Sequence, residues 1–233
     1  MIELLVALLI GLFLLFGLTA VLQTNKRTFT SQNLLSQLQD SERLAATMMN
    51  DVIEQAGYFP NPTTNTAASS FAVSAPFTTA GQSIYGTYSS STPGDSISVR
   101  YVAAAFSTFP MNCIGGNNGA GTANTTYVNT FKVAVNANGV SQLVCTRENG
   151  TTYPLVNNVT NLKVMYGVNN SGSGNNVDTY MNALQVTNWS NVVSVQITLT
   201  FSNPLVGAPG QPANSGPTTF PLTRTINIMQ QTG

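Results

Sequence analysis

The sequence predicts an α+β protein in which one long N-terminal α-helix, apolar and then amphipathic, packs on an antiparallel β-sheet head. Helical periodicity continues without a break from the first residues to about Ala56. From about residue 95 onward the apolar residues instead recur with a period of two, which is typical of half-buried strands. Gly57, Pro60 and Pro62 stand between the two patterns and predict the end of the helix.

The first segment, residues 1–24, is predicted to be a membrane or filament-core helix. Leu4–Leu22 contains no charged residue and no proline. As a helix it spans roughly 28 Å, which is about the thickness of bilayer hydrocarbon. A signal peptide would have a basic start, a shorter apolar core and a small-residue cleavage site. Here the run has no basic start, and the helical pattern continues beyond it.

The second segment, residues 25–57, is predicted to be the amphipathic continuation of the same helix. Its apolar residues recur in steps of three, four and seven and therefore share one face. They are Leu34, Leu38, Ala45, Met48, Val52 and Ala56, with Leu35, Met49, Ile53 and Gln55 beside them. We expect this face to pack on the head, and the whole helix to measure on the order of 80 Å.

The head, residues 58–233, is predicted to be rich in β-strands separated by Gly/Asn-rich turns. The alternating segments are Ile97–Tyr101, Phe131–Val135, Leu162–Tyr166, Val193–Phe201 and Phe220–Ile228, with a short strand near Phe71–Val73. Alternation of this kind predicts one antiparallel sheet with one apolar face, which would bury the amphipathic half of the helix.

The composition argues against several functional classes. Charged residues make up 7% of the chain, the net charge is zero and histidine is absent. We therefore predict no nucleic-acid partner, no metal, no cofactor and no catalytic residues, so that the protein is not an enzyme. The loop Asn169–Asp178 offers a single carboxylate, which favours a turn over a calcium site.

Two cysteines, Cys113 and Cys145, lie in the head, far from the apolar segment. A disulfide is the preferred interpretation for an extracytoplasmic domain, and two buried thiols are the alternative. The bond would close a loop of about 30 residues, worth roughly 3–4 kcal/mol in the chain-entropy account.

Glu3 is a carboxylate at the start of the apolar run. Placing such a charge in a membrane helix costs about 2.5–3.5 kcal/mol, so a partner is expected. The nearest basic residues, Lys26 and Arg27, lie more than about 30 Å away along a helix. Glu3 therefore either meets a terminal amine or another molecule, or lies at the water interface.

The stretch MIELLVALLIGLFLLFGL resembles the N-terminus of a mature type IV pilin, an apolar helix with a lone glutamate at its fifth position. On this resemblance Glu3 is that glutamate, and the leader and the first two mature residues are missing before Met1. Residues 38–59, which end in Ala-Gly-Tyr, are similar to the PilW family of pilus proteins. So are residues 95–101, 143–145 and 156–168 and the stretch that follows Trp189.

The resemblance implies a structural subunit of a type IV pilus that polymerises through its N-terminal helix. Its partners would be other pilin subunits, the prepilin peptidase and the assembly machinery. It would cross the inner membrane once before assembly and then enter the extracellular pilus, or fimbrium. Glu3 would meet the N-terminal amine of a neighbour. The expected subunit contacts are Glu3, Leu4, Leu5, Leu8, Leu9, Phe13 and Phe16.

Several alternatives remain open at this point. PilW-like proteins are usually minor subunits, and a principal subunit of the filament is the alternative. A type II secretion pseudopilin would be favoured by a stub filament and a calcium site in the head. A pilus-tip adhesin, binding a surface or glycan, would be favoured by exposed aromatic or basic clusters.

Overall fold

The computed structural model describes residues 2–171, 176–208 and 216–229. The chain forms two compact units. The helical unit comprises Met1–Asp40 with Asn203–Thr218, and the β-sheet unit comprises Ser41–Ser202 with Thr219–Gly233. Helix α1 (Ile2–Glu54) is continuous and supplies residues to both units.

In the helical unit, the side chains of α1 are exposed from Ile2 to Thr30. The threonines of this stretch form hydrogen bonds from their hydroxyl groups to backbone carbonyls of the same helix. Thr19 donates to the Phe16 carbonyl at 2.8 Å, and Thr24 donates to the Ala20 carbonyl at 3.0 Å. Bonding back to the preceding turn removes the need for water at these hydroxyls, which suits an apolar surrounding.

In the β-sheet unit, the last part of α1 provides the buried face that the sequence predicts. Ala45, Met49, Val52 and Ile53 are buried. The apolar stripe is shorter than predicted, because Leu34, Leu35, Leu38 and Met48 are only partly covered.

The chain leaves α1 through Gly57, whose φ is 84°. A Cβ there would lie 3.2 Å from the Ser83 hydroxyl and 3.3 Å from the Met229 carbonyl, so glycine suits this exit on two counts. The Gly57 amide donates to the Arg100 carbonyl at 3.0 Å, and the Met229 amide donates to the Glu54 carbonyl at 3.1 Å. These bonds tie the end of the helix to two distant parts of the chain.

After α1 the described residues contain a short helix, nine strands and one 3₁₀ turn. They are α2 (Ala67–Ser70), β1 (Ile84–Thr87), β2 (Ser96–Ala103), β3 (Thr125–Val135), β4 (Ser141–Arg147), β5 (Thr152–Asn157), β6 (Val159–Val168), β7 (Thr179–Met181), the 3₁₀ turn Trp189–Asn191, β8 (Val192–Ser202) and β9 (Thr219–Asn227). The prediction of a short strand near Phe71–Val73 is wrong, because these residues form no strand. A capping box between Thr66 and Ser69 begins α2, and Phe71 caps its other end.

The strands form two antiparallel sheets, which corrects the single sheet predicted from the sequence. One sheet has the order β1-β2-β3-β4-β5 and the other has the order β7-β6-β8-β9. The edge strands β1 and β7 are short, whereas β5 and β9 are longer and each contains a proline, Pro154 and Pro221.

The two sheets are joined where the chain enters β2. Gly94 pairs with Leu162 of β6 in a parallel bridge. The Asp95 amide donates to the Leu162 carbonyl at 2.8 Å, and the Asp95 carboxylate accepts from the Val164 amide at 2.8 Å. Gly94 has φ 96°, and a Cβ there would lie 2.1 Å from the Leu162 carbonyl oxygen. Only glycine permits this close approach of the backbones.

Strand β2 is buried on both faces, although its alternation predicts one exposed face. The polar side carries Ser98, which shares a hydrogen bond of 2.7 Å with Thr130, and Arg100, which is 2% exposed. The segment from Phe71 to Gln82 covers Arg100. The guanidinium donates to the carbonyls of Gln82 at 2.5 Å and Ala72 at 2.6 Å. A polar side chain on a strand therefore does not guarantee a solvent-exposed face.

Candidate assembly surface

The apolar segment of α1 presents an uncovered surface. From Ile2 to Leu22 its large apolar side chains are exposed by between 49% at Val6 and 82% at Phe13. Burying one such side chain stabilises by about 1.5–3 kcal/mol. By length and composition the helix can cross a membrane, and none of its apolar window is buried. This surface therefore requires lipid or other protein around it.

The expected contact residues lie on this surface. Leu4, Leu5, Leu8, Leu9, Phe13 and Phe16 are all exposed and, at 3.6 residues per turn, cover about half of the circumference. Phe13 and Phe16 are three residues apart, so their rings lie on one side of the helix. At 82% and 80% they are the most exposed large apolar side chains among the described residues.

Glu3 lies in the first turn of α1, where a carboxylate interacts favourably with the helix dipole. Its side chain is exposed, and neither of the salt bridges found among the described residues includes it. Met1 lies outside the described residues. The described part of the chain therefore places no cationic group against Glu3.

The structure joins Cys113 to Cys145 by a disulfide, as the sequence predicts. The bond ties the loop 104–124 to strand β4.

A buried hydrogen-bond network lies beside the disulfide. Asn129 is fully buried and accepts a hydrogen bond from the Cys113 amide at 3.0 Å, while its amide group donates to the Tyr101 hydroxyl at 2.9 Å. Tyr101 donates in turn to the Met111 carbonyl at 2.5 Å. Sequence reasoning missed this network, because Asn129 lies in an otherwise ordinary polar position of β3.

The loop 104–124 carries an exposed apolar cluster in sequence, four side chains within nine residues, that the sequence analysis did not single out. Phe106, Phe109, Met111 and Ile114 are exposed by 69%, 52%, 42% and 40%. Phe106 has φ 57°, an unfavourable backbone conformation for a bulky residue. Asn118 anchors the loop from below by donating to the carbonyls of Ala104 and Ala123 at 2.8 and 2.9 Å. The fold thus holds aromatic side chains in water at a cost.

Beside this cluster is a cleft of about 500 Å³, which we call the helix-end cleft. It is lined by Met48, Asp51, Val52, Glu54 and Gln55 of the helix and its end, by Phe109, Met111, Asn112, Cys113 and Gly115 of the loop, and by Met229. Gln55 is 9% exposed, and its Oε1 has no hydrogen-bond partner among the described residues. The cleft therefore combines apolar walls, two carboxylates and one unsatisfied acceptor.

The described residues contain no group of three or more His, Cys, Asp or Glu side chains that could hold a metal ion. In the loop Asn169–Asp178, the Asp178 carboxylate accepts from the amides of Asn170 and Ser171 at 2.8 and 2.9 Å. Residues 172–175 of this loop lie outside the described residues.

Together, the uncovered apolar helix and the disulfide-linked β-sheet unit define an α+β protein with a pilin-like architecture. The protein family described as "PilW: Type IV Pilus-assembly protein W" matches residues 130–227, from the middle of β3 to the end of β9. This match covers 98 of the 233 residues and supports the resemblance to PilW-family, type IV pilin-like proteins drawn from the sequence. The match also supports a function related to the type IV pilus, since the matched family is described as one of pilus-assembly proteins.

No curated protein matches the chain significantly. No solved structure does so either.

Proposed function

We propose that the chain is a structural, non-enzymatic subunit of a type IV pilus filament and polymerises through its apolar N-terminal segment, residues 1–24. The observation that carries the proposal is the exposed apolar surface from Ile2 to Leu22. The same surface can face lipid before assembly and neighbouring helices afterwards, since both surroundings are apolar. Residues 25–57 then connect this anchor to the head.

Glu3 is the residue through which we propose that subunits set their register. A carboxylate in an apolar surrounding is strongly stabilised by a cationic partner and costly without one. The amine that terminates a neighbouring chain supplies such a partner. Subunits that are out of register leave the charge unpaired, so this interaction selects one axial position.

The proposal is tested by electron microscopy of filaments, labelled with antibody to the head, from cells that carry wild type or Glu3→Ala. Asp40→Ala is the matched control, because Asp40 is an exposed carboxylate of the same helix outside the apolar segment. We expect label along wild-type and control filaments and loss of labelled filaments in Glu3→Ala.

Label confined to filament tips would identify a minor, initiating subunit in place of a principal one. Unchanged filaments and unchanged labelling in Glu3→Ala would show that Glu3 has no role in register. Absence of label from any filament would contradict the subunit proposal itself.

Adhesion at the filament tip is a second candidate function, because Phe106 and Phe109 are held exposed on an anchored loop. A double Phe106→Ser, Phe109→Ser variant should keep its filaments but attach less to apolar surfaces than wild type. Val135→Ser is a control, since Val135 is 61% exposed on β3 and outside the loop. Equal attachment of all three proteins would remove this candidate.

A further inference from the structure

We propose that the helix-end cleft of one subunit receives Phe29 and Lys26 from the helix of a second copy of this chain. The proposal rests on the proposed function, since it assigns a contact between copies in the filament. It extends that function by naming a second interface, outside the apolar segment, that joins a helix to a neighbouring β-sheet unit.

The cleft sets the chemistry of its occupant. Its apolar walls, formed by Val52, Met111 and Met229 among others, favour a large apolar side chain. Asp51 and Glu54 are exposed carboxylates at the cleft, and no basic residue lines it. An occupant that carries a positive charge beside an apolar group therefore complements the cleft.

The basic residues of this chain are few enough to compare one by one as the charged part of the occupant. The chain has eight Lys and Arg residues in total. Three are engaged in the β-sheet unit through burial or ion pairing, namely Arg100, Arg147 and Lys163. Arg224 is exposed and interacts electrostatically with the Glu42 carboxylate. The other four are Lys26, Arg27, Arg43 and Lys132.

Of these four, only Lys26 shares a face with a large exposed apolar side chain. On a helix, residues three or four apart are neighbours, and Phe29, which is 72% exposed, follows Lys26 by three. The residues three and four away from Arg27 and Arg43 include no large apolar side chain. Lys132 and Val135, the exposed apolar residue nearest to it in β3, point to opposite faces of the strand.

Phe29 has the properties of an interface anchor. It lies beyond the apolar run, beside charged residues, yet most of its ring is in water. A buried aromatic side chain removes roughly 150–250 Å² from water, and aromatic residues seated in pockets often dominate the energy of an interface. Lys26 would then approach the carboxylates of Asp51 and Glu54 while the ring fills the cleft.

Crosslinking between differently tagged copies tests this contact. One chain carries Phe29→Cys and the first tag, and the other carries Met229→Cys and the second tag. Both are expressed in the same cells, and isolated filaments are treated with a short bismaleimide. The native cysteines do not react, because they form the disulfide. The control replaces Phe29→Cys by Thr28→Cys, an exposed position about 100° around the helix.

We expect a product that carries both tags, several-fold more abundant with Phe29→Cys than with Thr28→Cys. Filaments that contain both chains but give no product, or equal product from both positions, would overturn the inference and leave the proposed function intact. Filaments that lack the chain altogether would overturn both.

If Phe29→Cys prevents assembly, exchanging the charges of Lys26 and the cleft carboxylates tests the contact instead. Lys26→Glu should reduce the number of filaments several-fold, and adding Asp51→Lys with Glu54→Lys should restore them. Arg43→Glu, another exposed basic position of α1, is the control for a general effect of charge. A triple variant that assembles no better than Lys26→Glu alone would contradict the contact.

Discussion

The guanidinium of Arg100 lies over the ring of Phe77, with its Cζ 4.3 Å from the ring centroid. A second ring, that of Phe71, lies 5.2 Å from the same carbon. No carboxylate forms a salt bridge with Arg100 among the described residues. Burial lowers the pKa of Arg100 to about 10. Carbonyl oxygens and aromatic faces thus take the place of a counter-ion and hold the segment 71–82 against β2.

Arg100→Lys should destabilise the fold by about 1.5–3 kcal/mol, the worth of one hydrogen bond to a charged group. A lysine cannot reproduce the planar fork that reaches the carbonyls of Gln82 and Ala72 together. The free energy of unfolding of the purified chain in detergent, measured with denaturant, gives the change. Arg43→Lys, at an exposed position, should change it little, and equal stability of both variants would contradict the role assigned to Arg100.

Tyr166→Phe should be neutral or stabilising, by up to about 1–3 kcal/mol. The hydroxyl of Tyr166 is buried and has no hydrogen-bond partner among the described residues, while its ring packs edge-on against Trp189 at 4.9 Å. The substitution removes a desolvated polar group and keeps the ring.

Tyr101→Phe is the matched comparison, because this hydroxyl bonds both Met111 and Asn129. We expect it to lose about 1–3 kcal/mol. Thermal unfolding followed by circular dichroism should therefore shift in opposite directions for the two variants. A clear loss of stability in Tyr166→Phe would show that its hydroxyl has a partner.

The same two tyrosines should limit stability at alkaline pH. Burial raises the pKa of both Tyr101 and Tyr166 above the ordinary phenol value. Because the fold favours the protonated phenol, this stability is complete below pH about 10 and is lost as the pH rises towards the folded-state pKa values. Phenolate absorbance should therefore show late ionisation that coincides with loss of circular dichroism. Ionisation of all tyrosines near pH 10 in a folded chain would exclude this.

Removing the disulfide by the double substitution Cys113→Ser, Cys145→Ser should cost roughly 3–4 kcal/mol, since the cysteines are 32 residues apart. We expect the loop 104–124 to be the part of the fold that is destabilised most, because the hydrogen bonds of Asn129 and Tyr101 depend on the position of Cys113. Limited proteolysis should therefore cut within this loop first. A protease pattern identical to that of wild type would show that the network alone holds the loop.

Gly94→Ala should destabilise more than Gly139→Ala, although both glycines have positive φ. At either site a left-handed conformation costs an alanine about 1–2 kcal/mol. At Gly139 a Cβ meets nothing within 4 Å, whereas at Gly94 it would overlap the Leu162 carbonyl and add roughly 1–3 kcal/mol or more. The difference between the unfolding free energies of the two variants, measured with denaturant, gives the cost of the steric overlap between the two sheets at Gly94. Equal values would mean that the sheets separate easily there.

The sequence predicted the elements whose pattern reflects one-sided burial. Strand β8 alternates between buried and half-buried positions along Val195–Ser202, so its period of two was visible. The helix was equally clear, because no proline or glycine interrupts residues 23–55. The sequence pattern did not identify β4 and β5 as strands. Strand β4 has three consecutive buried residues in place of an alternation, and strand β5 contains Pro154.

What the sequence did not reveal depends on tertiary contacts. The alternation of β2 predicted a solvent-exposed face, but the segment 71–82 covers it and Arg100 bonds that segment. No local pattern indicates that the strands divide into two sheets, or that a bridge between Gly94 and Leu162 joins them. The helix-end cleft likewise forms from three separate parts of the chain, around Val52, Met111 and Met229.

Pro154 and Pro221 affect how copies of this chain behave when many of them are packed close together. Each lies in one of the longer edge strands, where the missing amide interrupts the row of donors that a foreign strand would need. In the polymer that we propose, many identical β-rich domains would lie close together, a condition that favours amyloid-like stacking. The two prolines make that stacking unfavourable, so crowded copies can remain individually folded neighbours.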